Sequence, residues 1–427
     1  MRYSTNRVPT SSVRRFALLL CAAACLVLAA DNEPRWRVLN RQARDAAQAK
    51  DYAKLRATLL ELKPLMPGNP RITFSLAAVE AVLGNRDAAL ARLRNWAGMG
   101  LLYNLNADAD FASLRATRDF TAILERVDQS RDTVSRSEPA FDLSEADLIP
   151  EDIAYDPRHR RFFVSSVRKA KIITGDGDEF AKTDWPVLAL AVDLHRRLLW
   201  ASTGYVPQCE RCDPKDKDKT ALLAFNLDSG ALKQRIESPV KGLLGDMTIS
   251  RKGDLYVSES LNGAVFCLRA GAKEMERLDA PGDFPSPQTP ALSADDKTLY
   301  IPDYARGIAA MNLASRSVEW IAPAEDIALS GIDGLYVYRD AFLAVQNGIM
   351  PPRIIRFSLG LKTQEVLEAN TPSLGAPTHG TVVGHEFYFI ANSGWNAWDD
   401  QGKKRAGAPA VQSSIRKIAL PKEGFEK

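Results

Sequence analysis

From about residue 140 onward, strand-rich units recur roughly every 45 residues, each carrying a polar turn and then an aromatic and β-branched run; this predicts a six-bladed β-propeller. Two further observations set its limits. The chain before residue 128 has helical rather than alternating periodicity, and a short apolar leader stands ahead of that. The expected organisation is a leader over 1–30, a helical domain over 31–135 and a propeller over 136–427, mainly β overall.

The leader begins at Arg14 and Arg15, continues through the apolar run Phe16 to Ala30 (FALLLCAAACLVLAA) and stops at Asp31-Asn32-Glu33-Pro34. A basic start, a short apolar centre and small residues at the end read as a secretory signal, cut after Ala29 or Ala30. An uncleaved anchor and a lipoprotein cut at Cys25 are the competing readings. An exported chain of this kind is expected in the periplasm or outside the cell. No later segment is long and apolar enough to span a bilayer.

Among the 427 residues, 56 Lys and Arg nearly balance 53 Asp and Glu, a formal charge of +3, so no strong field favours nucleic acid or anionic lipid. At 45% hydrophobic residues the chain can bury an ordinary core. Beyond the leader the cysteines are Cys209, Cys212 and Cys267. Cys209-Glu-Arg-Cys212 sits in the polar stretch PQCERCDPKDKDKT, an exposed loop in which a local disulfide, plain thiols or redox activity are all open. Cys267 lies in a strand-like run and reads as core.

Trp36 to Val127 is rich in Ala, Leu, Arg and Glu, with apolar residues three or four apart, as in WRVLNRQARDAAQAKDYAKLRATLLEL. Pro64-Leu-Met-Pro67-Gly-Asn-Pro70 and Gly84-Asn85 break it into short helices. The first of these breaks, together with Leu83-Gly84 ahead of Asp87-Ala-Ala-Leu90, resembles tetratricopeptide repeats over about two imperfect units. Such a module implies a protein partner, or else a cap packed against the next domain. The polar stretch DQSRDTVSRSEPA (128–140) reads as the boundary.

The second strands of the six units are RRFFVSS, RRLLWAST, DLYVSES, KTLYIPDY, AFLAVQN and EFYFIANS, with turn-forming residues ahead of each. Third strands such as ALLAFNLDSG, AVFCLRAG and RIIRFSLG follow, the last, SSIRKIAL, at the far end of the chain. In a propeller the innermost strands flank a shared channel. One residue per unit at the head of that strand gives Glu151, Leu188, Gly245, Gln288, Asp333 and His379, with Asp152 and Asp246 one position further on. Carboxylate and amide oxygens in one ring suit a hard divalent cation such as calcium. A wet, polar channel with no ligand is the competing reading. His159, His195 and His385 fall in turns and are expected at the surface, and Trp395 and Trp398 are expected to cover the last blade more than to line a pocket.

Over residues 145 to 400 the stretches PEDIAYDPRHRRFFVSS, GDMTISRKGDLYVSES, SPQTPALSADDKTLYIPDYARGI, GIDGLYVYRDAFLAVQNG and PTHGTVVGHEFYFIANS resemble the senescence marker protein / gluconolactonase / paraoxonase-like superfamily of six-bladed propellers. The resemblance implies four oxygen ligands around a divalent cation, often calcium, and hydrolysis of lactones or other esters. It places ligands at Glu151 and Asp333. The family's asparagines fall on Gly245, ahead of Asp246, and on Gln288, so the implied set is Glu151, Asp246, Gln288 and Asp333. The Glu151-Asp152 pair also resembles the paraoxonase branch, where both acids serve a calcium site.

With a cation polarising a lactone carbonyl, a carboxylate or imidazole would deprotonate the attacking water. Asp333 is the first candidate base and His379 the second. The chain carries no GxSxG elbow and no HExxH, so neither a serine triad nor a zincin is indicated. The alternative is a non-catalytic binding protein that holds a polypeptide or small ligand between helical repeats and propeller face.

Overall fold

The computed structural model describes residues 33–422 and 424–425; the leader lies outside them. No helix among the described residues is long and apolar enough to cross a membrane.

Five helices come first: α1 (Arg35–Gln48), α2 (Tyr52–Leu62), α3 (Pro70–Val82), α4 (Arg86–Gly98) and α5 (Arg118–Gln129). Their starts follow capping chemistry. Asp51 accepts from Lys54 N at 3.0 Å, Thr117 accepts from Phe120 N at 3.2 Å, and Asn69 accepts from Arg71 N and Ile72 N with Pro70 in the first turn. The breaks expected at 64–70 and at Gly84 fall between α2, α3 and α4.

Six antiparallel four-stranded sheets follow, and blade 5 gains a fifth outer strand. Their innermost strands are Ile153–Asp156, Val187–Asp193, Leu244–Ile249, Ala291–Leu292, Ile332–Tyr338 and Gly380–Val383, in blades 1 to 6. The ring is closed by a strand whose first residues, 137–140, fall in the polar stretch read as the boundary. Ser137–Asp142 forms the outer edge of blade 6 by pairing with the final strand Ser414–Ala419, and Val134–Ser135 adds to blade 5. The closing strand is polar and holds Pro139, which an outer edge tolerates because its free side needs no donor. Most of its stabilisation comes from a partner some 280 residues away, so local pattern conceals it.

The helical domain is welded to blades 4 and 5 on the face where the innermost strands begin. Ala328 and Ile349 of blade 5 lie in one apolar cluster with Leu93, Trp96, Phe111 and Phe120. Arg306 Nε donates to Leu65 O at 3.0 Å, Asn69 Nδ2 to Ala305 O at 2.8 Å, and Leu329 N to Gly68 O at 2.9 Å. Gly68 is needed there, since its φ is +68° and a Cβ would stand 2.7 Å from Leu329 Cγ. Among the described residues Arg353, 2% exposed, has no carboxylate partner; its NH1 donates to Met99 O at the C-terminal end of α4 (2.9 Å) and its Nε to Gln346 Oε1 (2.8 Å). The negative end of the helix dipole takes the place of a counter-ion.

Candidate functional site

The heads of the innermost strands are tied across blades by buried hydrogen bonds. Asp152 accepts from Ile153 N and from Leu190 N of blade 2, both at 2.7 Å. Ser258 Oγ donates to Gln288 O at 2.7 Å, Thr289 N to Asp333 O at 3.2 Å, and His379 N to Glu151 O at 3.2 Å. One-residue register shifts occur at the same place in three blades, leaving Leu188, Gly245 and Asp333 outside the regular pairing. Such a bulge re-aims a side chain. In blade 5 the re-aimed side chain is the Asp333 carboxylate.

Glu151, Asp333 and His379 each present one ligand atom, and these three atoms lie within 4.8 Å of one another. They come from blades 1, 5 and 6. Asp246 Oδ1 lies 2.9 Å from His379 Nε2, a close charge contact in which the ring N–H is not aligned as a hydrogen bond, and it also accepts from Thr289 Oγ1 at 2.9 Å. Asp333 Oδ1 is 3.8 Å from the same ring nitrogen. Of the remaining ring positions, Gly245 offers no side chain and Leu188 is apolar. The Gln288 amide nitrogen is spent on Ser286, on its carbonyl at 3.1 Å and its hydroxyl at 3.0 Å.

Supporting side chains arrive from loops. Asn347 Nδ2 donates to Asp333 Oδ2 at 2.6 Å and to Pro377 O at 2.9 Å, and its Oδ1 accepts from Tyr304 OH at 2.9 Å. The Trp395 indole N–H donates to Glu151 Oε2. The expectation that Trp395 merely covers the last blade is therefore corrected: its polar edge reaches the cluster. Trp398 does pack down, 7% exposed, with Arg168 over its ring at 4.0 Å. Asn347, Tyr304 and Trp395 sit between second and third strands of their blades, in loops of unequal length, where the repeat gives no register for finding them.

Burial governs the electrostatics. It pushes the Glu151 carboxyl up to about 8; the His379 charge and the Trp395 indole oppose the shift, and Asp333 and Asp246 add to it. Burial raises Asp333 as well, and Asp152 to about 6, with His379 again opposing. Burial alone would lower His379, but the carboxylates of Asp333 and Asp246 outweigh it and hold the imidazole well above its ordinary range. Below the cluster the innermost strands enclose a channel of about 400 Å³ that passes Asp152, Thr289 and Tyr336 and becomes apolar toward Val192, Ile249 and Val382.

The other polar clusters have simpler accounts. Asp156, His159 and Asp228 approach one another, but the Arg197 guanidinium is inserted among them, with two bonds to Asp156 at 3.0 and 2.9 Å; this is an ion-pair network. His159, His195 and His385 are exposed, Cys267 is buried, and Cys209 and Cys212 form a disulfide.

No family profile and no curated protein matches the chain. Among solved structures it is similar to a gluconolactonase from Xanthomonas campestris, at 14% identity and TM-score 0.47 over 68% of this chain and 99% of that one. A luciferin-regenerating enzyme gives 13% and 0.46 over 66% and 95%, and virginiamycin B lyase from Staphylococcus aureus 17% and 0.42 over 58% and 80%. At such identities the chemistry has to be read from the side chains themselves.

Proposed function

We propose that this chain is an exported hydrolase of the gluconolactonase-like kind, opening a small lactone or related ester with the help of a divalent cation. The observation that carries the reading is the convergence of Glu151, Asp333 and His379, from three blades, within 4.8 Å at the head of the channel. Two carboxylates and an imidazole facing one another are a donor set that fits a divalent cation. Glu151 and Asp333 would hold it, with Asp246 beside them; Gln288, the fourth member of the set expected from sequence, has its amide nitrogen bonded to Ser286, which leaves the amide oxygen as its ligand atom. When bound, a cation there supplies Lewis-acid polarisation of a carbonyl and charge for the oxyanion.

The chain's own residues divide the remaining work. Asn347 pins one oxygen of Asp333 and leaves the other facing the cluster, where it would hold the cation or take the proton from water. Trp395 orients Glu151 through its indole N–H. The disulfide at Cys209–Cys212 and the basic, apolar leader both support a periplasmic or secreted location.

The test is hydrolysis of a lactone panel by the purified chain, with and without a chelator. Asp333→Asn and Glu151→Gln should each lower kcat/KM by about 100-fold or more. Turnover indifferent to both substitutions would refute the proposal.

A further inference from the structure

Resting on that hydrolase reading, we propose that the site is built for a first-row transition divalent cation, zinc foremost, bound through His379 Nε2 with one carboxylate oxygen each from Glu151 and Asp333, and not for calcium. The imidazole is oriented as a ligand would be. Its Nδ1 lies 2.8 Å from the Glu151 backbone carbonyl, which can only accept, so Nδ1 carries the proton and Nε2 is the atom turned toward the carboxylates. A ring N–H fixed on a main-chain carbonyl is the usual outer support of a metal-binding histidine. The backbone around it is fixed too, by His379 N to Glu151 O at 3.2 Å and Gly380 N to Tyr336 OH at 2.7 Å.

A second, independent observation is the state of Nε2. His379 is 2% exposed, and among the described residues its buried Nε2 has no aligned hydrogen-bond partner, only the charge contact with Asp246 Oδ1 at 2.9 Å. A buried polar atom left in that condition is costly unless something is bound to it. The space it faces is bounded by the Asp246, Asp333 and Glu151 carboxylates.

A third observation is what the ring lacks. Calcium takes six to eight oxygens. Here two of the six ring positions, Leu188 and Gly245, supply no side-chain oxygen. Two carboxylates and one imidazole suit a smaller cation that accepts nitrogen, and among such ions zinc binds more tightly than manganese or iron. Binding displaces any proton on Nε2 to solvent, and Asp246, held by Thr289, stays beside the site as an outer carboxylate.

The experiment titrates the chelator-stripped full chain with Zn2+, Mn2+ and Ca2+, following heat and melting temperature, and records pulsed EPR of the Mn2+-loaded protein. One equivalent of zinc should bind at least about 100-fold more tightly than calcium and raise the melting temperature. The manganese spectrum should show coupling to one imidazole nitrogen. His379→Gln should abolish that coupling and cut the zinc-over-calcium preference at least about 10-fold; if that variant does not fold, the nitrogen coupling in the unaltered chain decides. Calcium binding as tightly as zinc, manganese without nitrogen coupling, or a full zinc equivalent retained by the Glu151→Gln, Asp333→Asn double variant would each overturn the assignment. Calcium-dependent lactone hydrolysis would do so while leaving the hydrolase reading intact, whereas no binding of any of the three ions would remove both.

Discussion

Asn347 holds Asp333 by an amide-to-carboxylate hydrogen bond of 2.6 Å, and spends its second amide proton on Pro377 O at the entrance to blade 6. One loop residue therefore fixes both the direction of the blade 5 acid and its spacing from the blade that carries His379. Asn347→Leu, which removes both donors at similar size, should weaken cation binding by about 10- to 100-fold, as loss of an outer hydrogen bond to a ligand does. Calorimetric titration of the two proteins checks this. Equal affinities would mean that Asp333 is positioned by its bulge alone.

Arg353 yields a stability prediction. Its guanidinium caps Met99 O from within the interface between helical domain and propeller. Arg353→Ala strands that carbonyl and opens a cavity, so the chain should lose about 2–4 kcal/mol. Urea unfolding monitored by helical and strand signals measures it, and the two signals should move together because the apolar cluster spans both parts.

Asp156 sets a dependence on pH. Burial would raise its carboxyl, but hydrogen bonds from Arg197 and His159 outweigh that and hold it well below the usual range. A depressed folded-state value stabilises the protein above the unfolded value of about 3.9, and that stabilisation disappears as pH falls below it. Asp156→Asn should therefore lower the melting temperature clearly at pH 6, and the gap from the unaltered protein should narrow steadily as the pH falls below about 4. A constant gap from pH 6 to about pH 2 would show that the loss is one of packing.

Ile415 tests the ring closure. It is fully buried and stands between Phe141 of the closing strand and Ile390 of the neighbouring one. Ile415→Ala should cost about 2–5 kcal/mol, the range of a buried aliphatic truncation. A cost below about 1 kcal/mol would mean that the seam is not a stabilising part of the structure.

Much of this architecture was legible from the chain because each blade repeats a turn and an aromatic strand at a steady interval. The same interval brought Glu151, Asp333 and His379 into view, since equivalent strand heads must meet at the axis. It could not reveal which way a side chain points. Gln288 shares the ring position, yet its amide nitrogen turns to Ser286, a local partner that the repeat does not encode. Asn347, Tyr304 and Trp395 belong to loops without period, and the strand Ser137–Asp142 is polar because one edge of it is solvated. In each case a contact made only in the folded chain decides what local pattern leaves open.

The seam between Ser137–Asp142 and Ser414–Ala419 also has a consequence for biogenesis. The ribosome has to deliver nearly the whole polypeptide before Ser137–Asp142 finds its mate, so for most of synthesis that strand waits unpaired. Closing so distant a pair is slow. Through that interval the unpaired strand presents a bare edge that a holdase would need to shield.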